Sequence, residues 1–389
     1  MDYEIIIAGG GMVGAALACL LGQAGKQVAV LETTTPAAFS PDDPFDNRVS
    51  AISRASQRLL EQAGAWSSVL NMRAAPYENM QVWDATGSGL IRFEAAELGE
   101  SDLGHIVENR VLQLALLATL KTYPSVELLC PARLESFELS QQQIQVKLAD
   151  GRQLTAQLLV GADGAQSVVR SLAELPYEVL DYAQKGVVCT AYTSLPHLDT
   201  AWQRFLPTGP LAFLPLPEPQ ACSIVWTLPA DQADTALWWD EERFQRELGQ
   251  ALDFRLGEIM SLGERAAFPL RGLHAQPYVR ERIALLGDAA HTIHPLAGQG
   301  VNLGFKDAQA LAELILANER ADAGSLKLLR RYERARRGDN FLTQKAMEAF
   351  NLVFSNTLAP WQILRNRGLT TANQLPLLKY QLAKRAMGL

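Results

Sequence analysis

The chain has 389 residues, 48% of them hydrophobic, and a formal net charge of −7, enough for a core of two domains and incompatible with disorder or a stapled miniprotein. An acidic balance without clustered Lys and Arg excludes nucleic acid as the main partner. The four cysteines, Cys19, Cys130, Cys189 and Cys222, show no paired spacing, which predicts buried thiols in a reducing compartment and no zinc or other metal site.

The first element is the apolar run Ile5 to Ala8, of strand character, leading into Gly9-Gly10-Gly11-Met12-Val13-Gly14 and a small-residue helix. This is a dinucleotide-binding pattern. Gly9 permits a tight turn, Gly11 lets the backbone approach a pyrophosphate, and Gly14 allows helix to pack on sheet, with the helix amides facing the anion. A second apolar strand, Val28 to Leu31, ends at Glu32, eighteen residues after Gly14, where a carboxylate accepts hydrogen bonds from a ribose and repels a 2′-phosphate. FAD or NAD therefore fits better than NADP. The strand starts too soon after Met1 for a charged leader, and no apolar run nears the roughly 18 residues of a membrane span, so a cytoplasmic protein is expected.

Asp46-Asn47-Arg48 and the stretch from Ser50 to Leu60 read as a loop entering a helix. Met80 to Phe93 reads as β with a turn at Gly87-Ser88-Gly89, and Asn109 as the N-cap of a helix over Arg110 to Leu120. Strands follow at Val126 to Leu129, Leu134 to Leu139 and Ile144 to Leu148, the last closed by the hairpin signal Asp150-Gly151. Leu158 to Gly161 is a strand ending in Ala162-Asp163-Gly164, followed by Arg170. From Val187 to Leu228, strand-like runs alternate with Pro-rich turns, which predicts a separate, mostly antiparallel sheet.

Strand character returns at Ile283 to Leu286 and ends in Gly287-Asp288-Ala289-Ala290-His291. A glycine-rich loop, His294-Pro295-Leu296-Ala297-Gly298-Gln299-Gly300-Val301-Asn302, then opens a long helix near Val301. Asp288 at a strand end suits the ribityl hydroxyls of a flavin, and the Gly298 to Asn302 amides form a nest that stabilises negative charge on reduced flavin. His291 and His294 lack a third ligand in spacing, so metal is not expected; His294 either lines the flavin pocket or is structural. After Glu348 there is no acid, while Arg365, Arg367, Lys379, Lys384 and Arg385 alternate with apolar residues. Two readings stand for this tail: a helical subdomain with solvated cations, or a surface that docks on an anionic membrane or a protein partner.

Together these motifs resemble the flavoprotein aromatic hydroxylases of the para-hydroxybenzoate hydroxylase superfamily over nearly the whole chain. The stretches His105 to Asn109, Gly209 to Leu216, Cys222 to Trp226 and His291 to Gly304 are similar to the ubiquinone-biosynthesis hydroxylases within it. Arg337-Gly338-Asp339-Asn340-Phe341 and Leu364 to Leu369 resemble the C6 hydroxylase of the demethoxy intermediate, whereas His105 to Asn109 and the His294 loop resemble the C5 hydroxylase, so the ring position stays open.

The resemblance implies an α/β architecture: a discontinuous Rossmann-like FAD-binding domain (1–75, 105–175 and 270–340), an inserted antiparallel substrate domain (76–104 and 176–269) and a C-terminal helical region (341–389). It implies bound FAD, transient NAD(P)H, O2 and a polyprenylated phenol or quinol, with flavin C4a as the reactive centre and no named catalytic side chain. Gly9, Gly11, Met12, Val13, Gly14 and Glu32 are expected at FAD with Asp288, Pro295, Gly298, Gly300, Val301 and Asn302. The family pattern adds Arg48 and Arg110, for which surface salt bridges are the alternative, Leu134 near adenine, and Asp163, which serves equally as a turn-former. Phe213, Leu214, Pro215 and Trp226 are expected as apolar lining for the substrate, with sheet core as the alternative. The membrane-resident substrate suggests that 349–389 docks at the inner-membrane surface or on a biosynthetic complex. A reductase or epoxidase on the same scaffold, or a non-catalytic flavin-bound component, is the alternative function.

Overall fold

The computed structural model describes residues 1–293, 300–318, 321–355 and 359–388. Its first layer is a six-stranded sheet in the order Val279–Arg280, Ile283–Leu285, Leu158–Gly161, Ile5–Ala8, Val28–Leu31, Val126–Leu129. All neighbours are parallel except the first pair. Ile5, Ile6 and Ile7 are fully buried, as expected for a central parallel strand covered on both faces, where a continuous apolar run replaces alternation. Three separated stretches of chain thus build one nucleotide sheet. The helix Met12–Gln23 packs on it through Gly14, Ala15, Ala16 and Ala18.

The second layer is a nine-stranded sheet ordered His291–Thr292, Ala266–Ala275, Tyr177–Thr193, Ala221–Pro229, Gly209–Pro215, Thr200–Leu206, Asn79–Asp84, Leu90–Glu94, with Ile259–Leu262 also paired to Tyr177–Thr193. The one parallel pair joins Thr200–Leu206 to Asn79–Asp84, and the rest are antiparallel. One face carries Val187, Cys189, Leu211, Phe213, Ile224 and Trp226 and packs on Phe244 and Leu248 of the helix Glu241–Ala251. The opposite face lines the cavities described below.

Two sequence expectations shift. The helix expected from Arg110 begins at Asn109 with Glu108 before it and no side-chain cap; the Asn109 Oδ1 instead accepts a hydrogen bond from the Ser50 hydroxyl at 2.7 Å. The border expected at 340/341 falls inside a continuous 30-residue helix, Leu326–Ser355. The C-terminal helices Ala359–Gln374 and Pro376–Met387 follow it.

The tail's cations also need correction as a docking set. Arg365 is buried, ion-paired with Asp84, and donates to the Phe354 carbonyl at 3.0 Å and the Thr86 hydroxyl at 2.7 Å. Lys379 pairs with Glu97, and Lys384 sits 4.8 Å over the Tyr380 ring. Asn366 and Asn373 accept hydrogen bonds from the backbone amides of Gly89 and Arg92. This region is therefore fastened to the edge hairpin of the second sheet and to the short helix Ala95–Leu98 that follows it, and two of its cations are spent on that attachment. Arg367 and Arg385 remain exposed.

Candidate active site

The glycine loop follows from steric limits on its backbone. Gly9 has φ +105°, and a Cβ there would lie 2.3 Å from the Ala162 carbonyl oxygen; only glycine accepts both. A Cβ on Gly14 would lie 2.0 Å from the Gly9 carbonyl oxygen, whereas one on Gly11 would meet nothing within 4 Å. Gly14 is thus required by helix-to-strand contact, and Gly11 faces open space. The Glu32 carboxylate accepts the Gly10 amide at 2.9 Å and the Thr34 amide at 3.1 Å, holding the loop in place. Ala132 donates to the Glu32 carbonyl at 2.7 Å, which brings the start of the strand Leu134–Leu139 beside Glu32, with Leu134 itself packed in the core.

Beside the loop lies a cleft of about 410 Å³ whose wall includes Gly11, Met12, Val13, Arg48, Asp288 and Val301. The Asp288 carboxylate opens into the cleft, which is walled by residues of the glycine loop and of the second sheet. Partial removal from bulk water raises its pKa above the ordinary carboxylate value, opposed by His291 and by Arg48. Arg48 is exposed in the cleft, 5.7 Å over the Phe268 ring. An acceptor at a strand end, an open-faced glycine and an arginine in one cleft suit a nucleotide with hydroxyls and a pyrophosphate, so these residues fit FAD.

Other expected residues lie differently. Arg110 is engaged with Asp46 at 2.9 Å and Asp43 at 3.0 Å, the salt-bridge alternative, and does not line the cleft. Asp163 accepts the amides of Val168 and Val169 at 2.7 and 3.1 Å, a turn-forming arrangement. Asn302 bridges to the strand Val49–Ser53, accepting from the Ser53 amide at 3.1 Å and donating to the Ala51 carbonyl at 2.8 Å; Gly300 lines the cleft. His294, Pro295 and Gly298 lie outside the described residues.

Asp307 was missed by the sequence reading. It is fully buried, and its Oδ2 accepts from the Gly287 amide at 3.1 Å and pairs with the His291 Nε2 at 2.5 Å. Its Oδ1 takes Arg336 Nε at 2.8 Å and Asn340 Nδ2 at 3.1 Å. Burial opposes ionisation, but the His291 and Arg336 contacts prevail and hold its pKa below the ordinary value. Asp307 thereby clamps the turn that carries Asp288. The signal was legible: a carboxylate stands within the stripe Leu303, Asp307, Leu311, Ile315, spaced as the buried face of a helix.

Adjoining the cleft, and sharing Val49 and Val225 with it, is an apolar cavity of about 220 Å³. Ala212 and Leu214 project into it from the strand Gly209–Pro215, Val225 and Thr227 from Ala221–Pro229, and Leu382 and Met387 from the last helix. Phe213 and Trp226 need correction. Side chains alternate across a strand, so these two point to the other face, into the core with Phe244; Pro215, at the same phase as Phe213, is buried and lines neither cleft nor cavity.

A family model described as FAD binding domain matches residues 2–343. The chain is 41% identical to the 3-demethoxyubiquinol 3-hydroxylase of Escherichia coli (strain K12), over 99% of this chain and 98% of the relative. It is 38% identical to the ubiquinone hydroxylase UbiL of Rhodospirillum rubrum, over 99% and 89% of the two chains. Among solved structures, the crystal structure of PqsL, a probable FAD-dependent monooxygenase from Pseudomonas aeruginosa, matches with a TM-score of 0.76 at 26% identity, covering 95% of this chain and 99% of that one.

Proposed function

The chain belongs to the FAD-binding-domain flavoproteins and, within them, to the ubiquinone-biosynthesis hydroxylases; from that premise we propose that it hydroxylates the ring of a polyprenylated, demethoxyubiquinol-type quinol, using NAD(P)H and O2. It is an FAD-dependent aromatic-ring monooxygenase. The name of the Escherichia coli relative supports the demethoxy intermediate, and hence the C6 position of the two left open by the sequence. When bound, FAD supplies the redox chemistry by which one atom of O2 ends on the ring and the other in water, with one NAD(P)H consumed.

The protein's own part is positioning and exclusion of water. Asp288 and Arg48 hold the nucleotide in the cleft, the Gly11 face leaves room for its pyrophosphate, and Asp307 keeps the Asp288 turn in register. The observation that carries the reading is the apolar cavity opening through Val49 and Val225 onto the cleft, where a ring can meet the cofactor with little water present. A second apolar cavity, about 370 Å³, continues from the first through shared Met80, Phe93, Gln203 and Leu382, and runs between the sheet and the C-terminal helices. We assign it to the isoprenoid chain.

No described helix is long and apolar enough to cross a membrane, so a membrane-resident quinol must be handed over at the surface. The outer side of the C-terminal helices, with Leu377 83% exposed and Arg367 and Arg385 exposed, is our candidate for that contact, with the membrane or with a biosynthetic complex. The test of function is oxygen uptake with NADH or NADPH and a short-chain prenylphenol, with the product analysed by mass spectrometry. Stimulated uptake with one oxygen atom added to the ring is expected; cofactor oxidation without ring oxygenation would overturn the reading in favour of a reductase.

A further inference from the structure

The ring cavity is apolar except for Tyr77, Gln203 and Thr227. None of these three side chains makes a hydrogen bond to another described residue, and none of their polar atoms is sealed from solvent, so their polar ends are free to meet a ligand in the cavity they line. Gln203 is 7% exposed and Thr227 2%. Polar groups this enclosed are normally satisfied by protein, water or ligand. Here the described residues provide no partner.

Their placement is ordered. Thr227 lies two residues from Val225, which the cavity shares with the cleft, whereas Gln203 is shared with the second cavity. Gln203 pairs across the sheet with Ala212, and Ala212 with Val225, so the two side chains stand on one sheet face at opposite ends of the space. Tyr77 comes from the small sheet formed with Gly104–Glu108, and Val49, Ala51 and Ile106 of that sheet line the cavity with it. Burial and nearby Asp102 push the Tyr77 phenol up to about 12, so at neutral pH it keeps its proton and donates.

Resting on the function proposed above, we infer that Thr227 at the cofactor end, Gln203 at the tail end and Tyr77 from the facing wall hydrogen-bond the oxygen substituents of the substrate ring and so decide which ring carbon faces the cofactor. Tyr77 donates to a ring oxygen. The Gln203 amide both donates and accepts, so it serves a hydroxyl or a methoxy oxygen beside the isoprenoid branch. A site built from such groups discriminates strongly against a ring lacking the oxygen, because its own polar atoms are then left bare. These are positioning residues, with no proton transfer assigned to them.

The experiment compares two probes, a 2-prenylphenol carrying a methoxy group and its counterpart with methyl in that place, on wild type and on the holoenzyme variants Gln203→Leu, Thr227→Val and Tyr77→Phe, with Gln203→Asn and Thr227→Ser as conservative controls. Wild type is expected to favour the methoxy compound by about tenfold in kcat/KM, the value of one good hydrogen bond. At least one of the three deletions should erase that preference, lower hydroxylated product per NAD(P)H oxidised and yield a second regioisomer, while flavin content and Tm stay at wild-type values and the conservative control restores the preference. If a variant loses its flavin, the other two still decide. Unchanged preference, coupling and regiochemistry in all the folded variants would overturn the inference. Failure of wild type to hydroxylate either probe would instead overturn the proposed function.

Discussion

The two faces of the active site are specified in different ways. On the nucleotide side, backbone sterics dominate: Gly9 and Gly14 stand where any side chain would enter a carbonyl, and Glu32 and Asp307 hold amides. On the substrate side, regular strands present alternate residues to a cavity, and each position is set by which of two faces it occupies. Substitution should therefore be intolerable at a few points on the first side, and on the second side should divide cleanly between stability and chemistry.

The strongest challenge to that contrast is Gly14→Ala against Gly11→Ala. The first places a methyl 2.0 Å from the Gly9 carbonyl oxygen, and we expect purified protein without flavin and with a much lower Tm. The second points into the cleft: the unfolding free energy of the apoprotein should change by no more than about 0.5 kcal/mol, while FAD affinity falls more than tenfold by fluorescence titration. Equal behaviour of the pair would break the distinction.

Asp307→Asn comes next. It removes a charge that compensates Arg336 in a buried site, so denaturant unfolding should show a loss of about 3–5 kcal/mol. Because the folded pKa of Asp307 is below the ordinary value of 3.8, wild type holds this stabilisation above pH 3.8 and loses it as acid carries the pH through the lower folded value. The variant should lack that acid-sensitive part.

On the second sheet, Phe213→Ala should cost about 3–4 kcal/mol in unfolding and leave coupling of NAD(P)H oxidation to product intact. Leu214→Phe should cost less than about 2 kcal/mol yet depress hydroxylation by filling the cavity. The reverse pattern would mean that the faces are misassigned. The smallest effect is expected at His274, whose pKa burial lowers to about 4 from 6.5, helped by His291 and Arg337. Between those values the unfolded chain binds the extra proton, so stability should rise with pH across the window by about 2 kcal/mol or less, and His274→Gln should flatten the rise in Tm.

What was readable in the sequence follows the same division. The strand, glycine turn, helix and Glu32 were legible because each is a local requirement of backbone geometry, and the inserted sheet because turns and strand-like runs alternate. The facing of Leu211-Ala212-Phe213-Leu214 was not, since all four are apolar and alternation leaves no contrast between faces. Arg365 read as a surface cation, solvated or docking, because its partner Asp84 is 281 residues away in the chain. Asp307 was readable in principle, as a charge within an apolar helical stripe, but its partners His291 and Arg336 lie 16 and 29 residues away in the chain and carry no local signal.

The helix Leu326–Ser355 grips Asp307 through Arg336 and Asn340 toward its middle, and near its end presents Met347, Val353 and Phe354 to the second cavity. At 1.5 Å per residue this is a strut of about 45 Å. The two halves of the enzyme consequently cannot be expressed as separate polypeptides divided at 340/341: a cut there severs the beam in its middle, unbracing the Asp288 turn and the second cavity together.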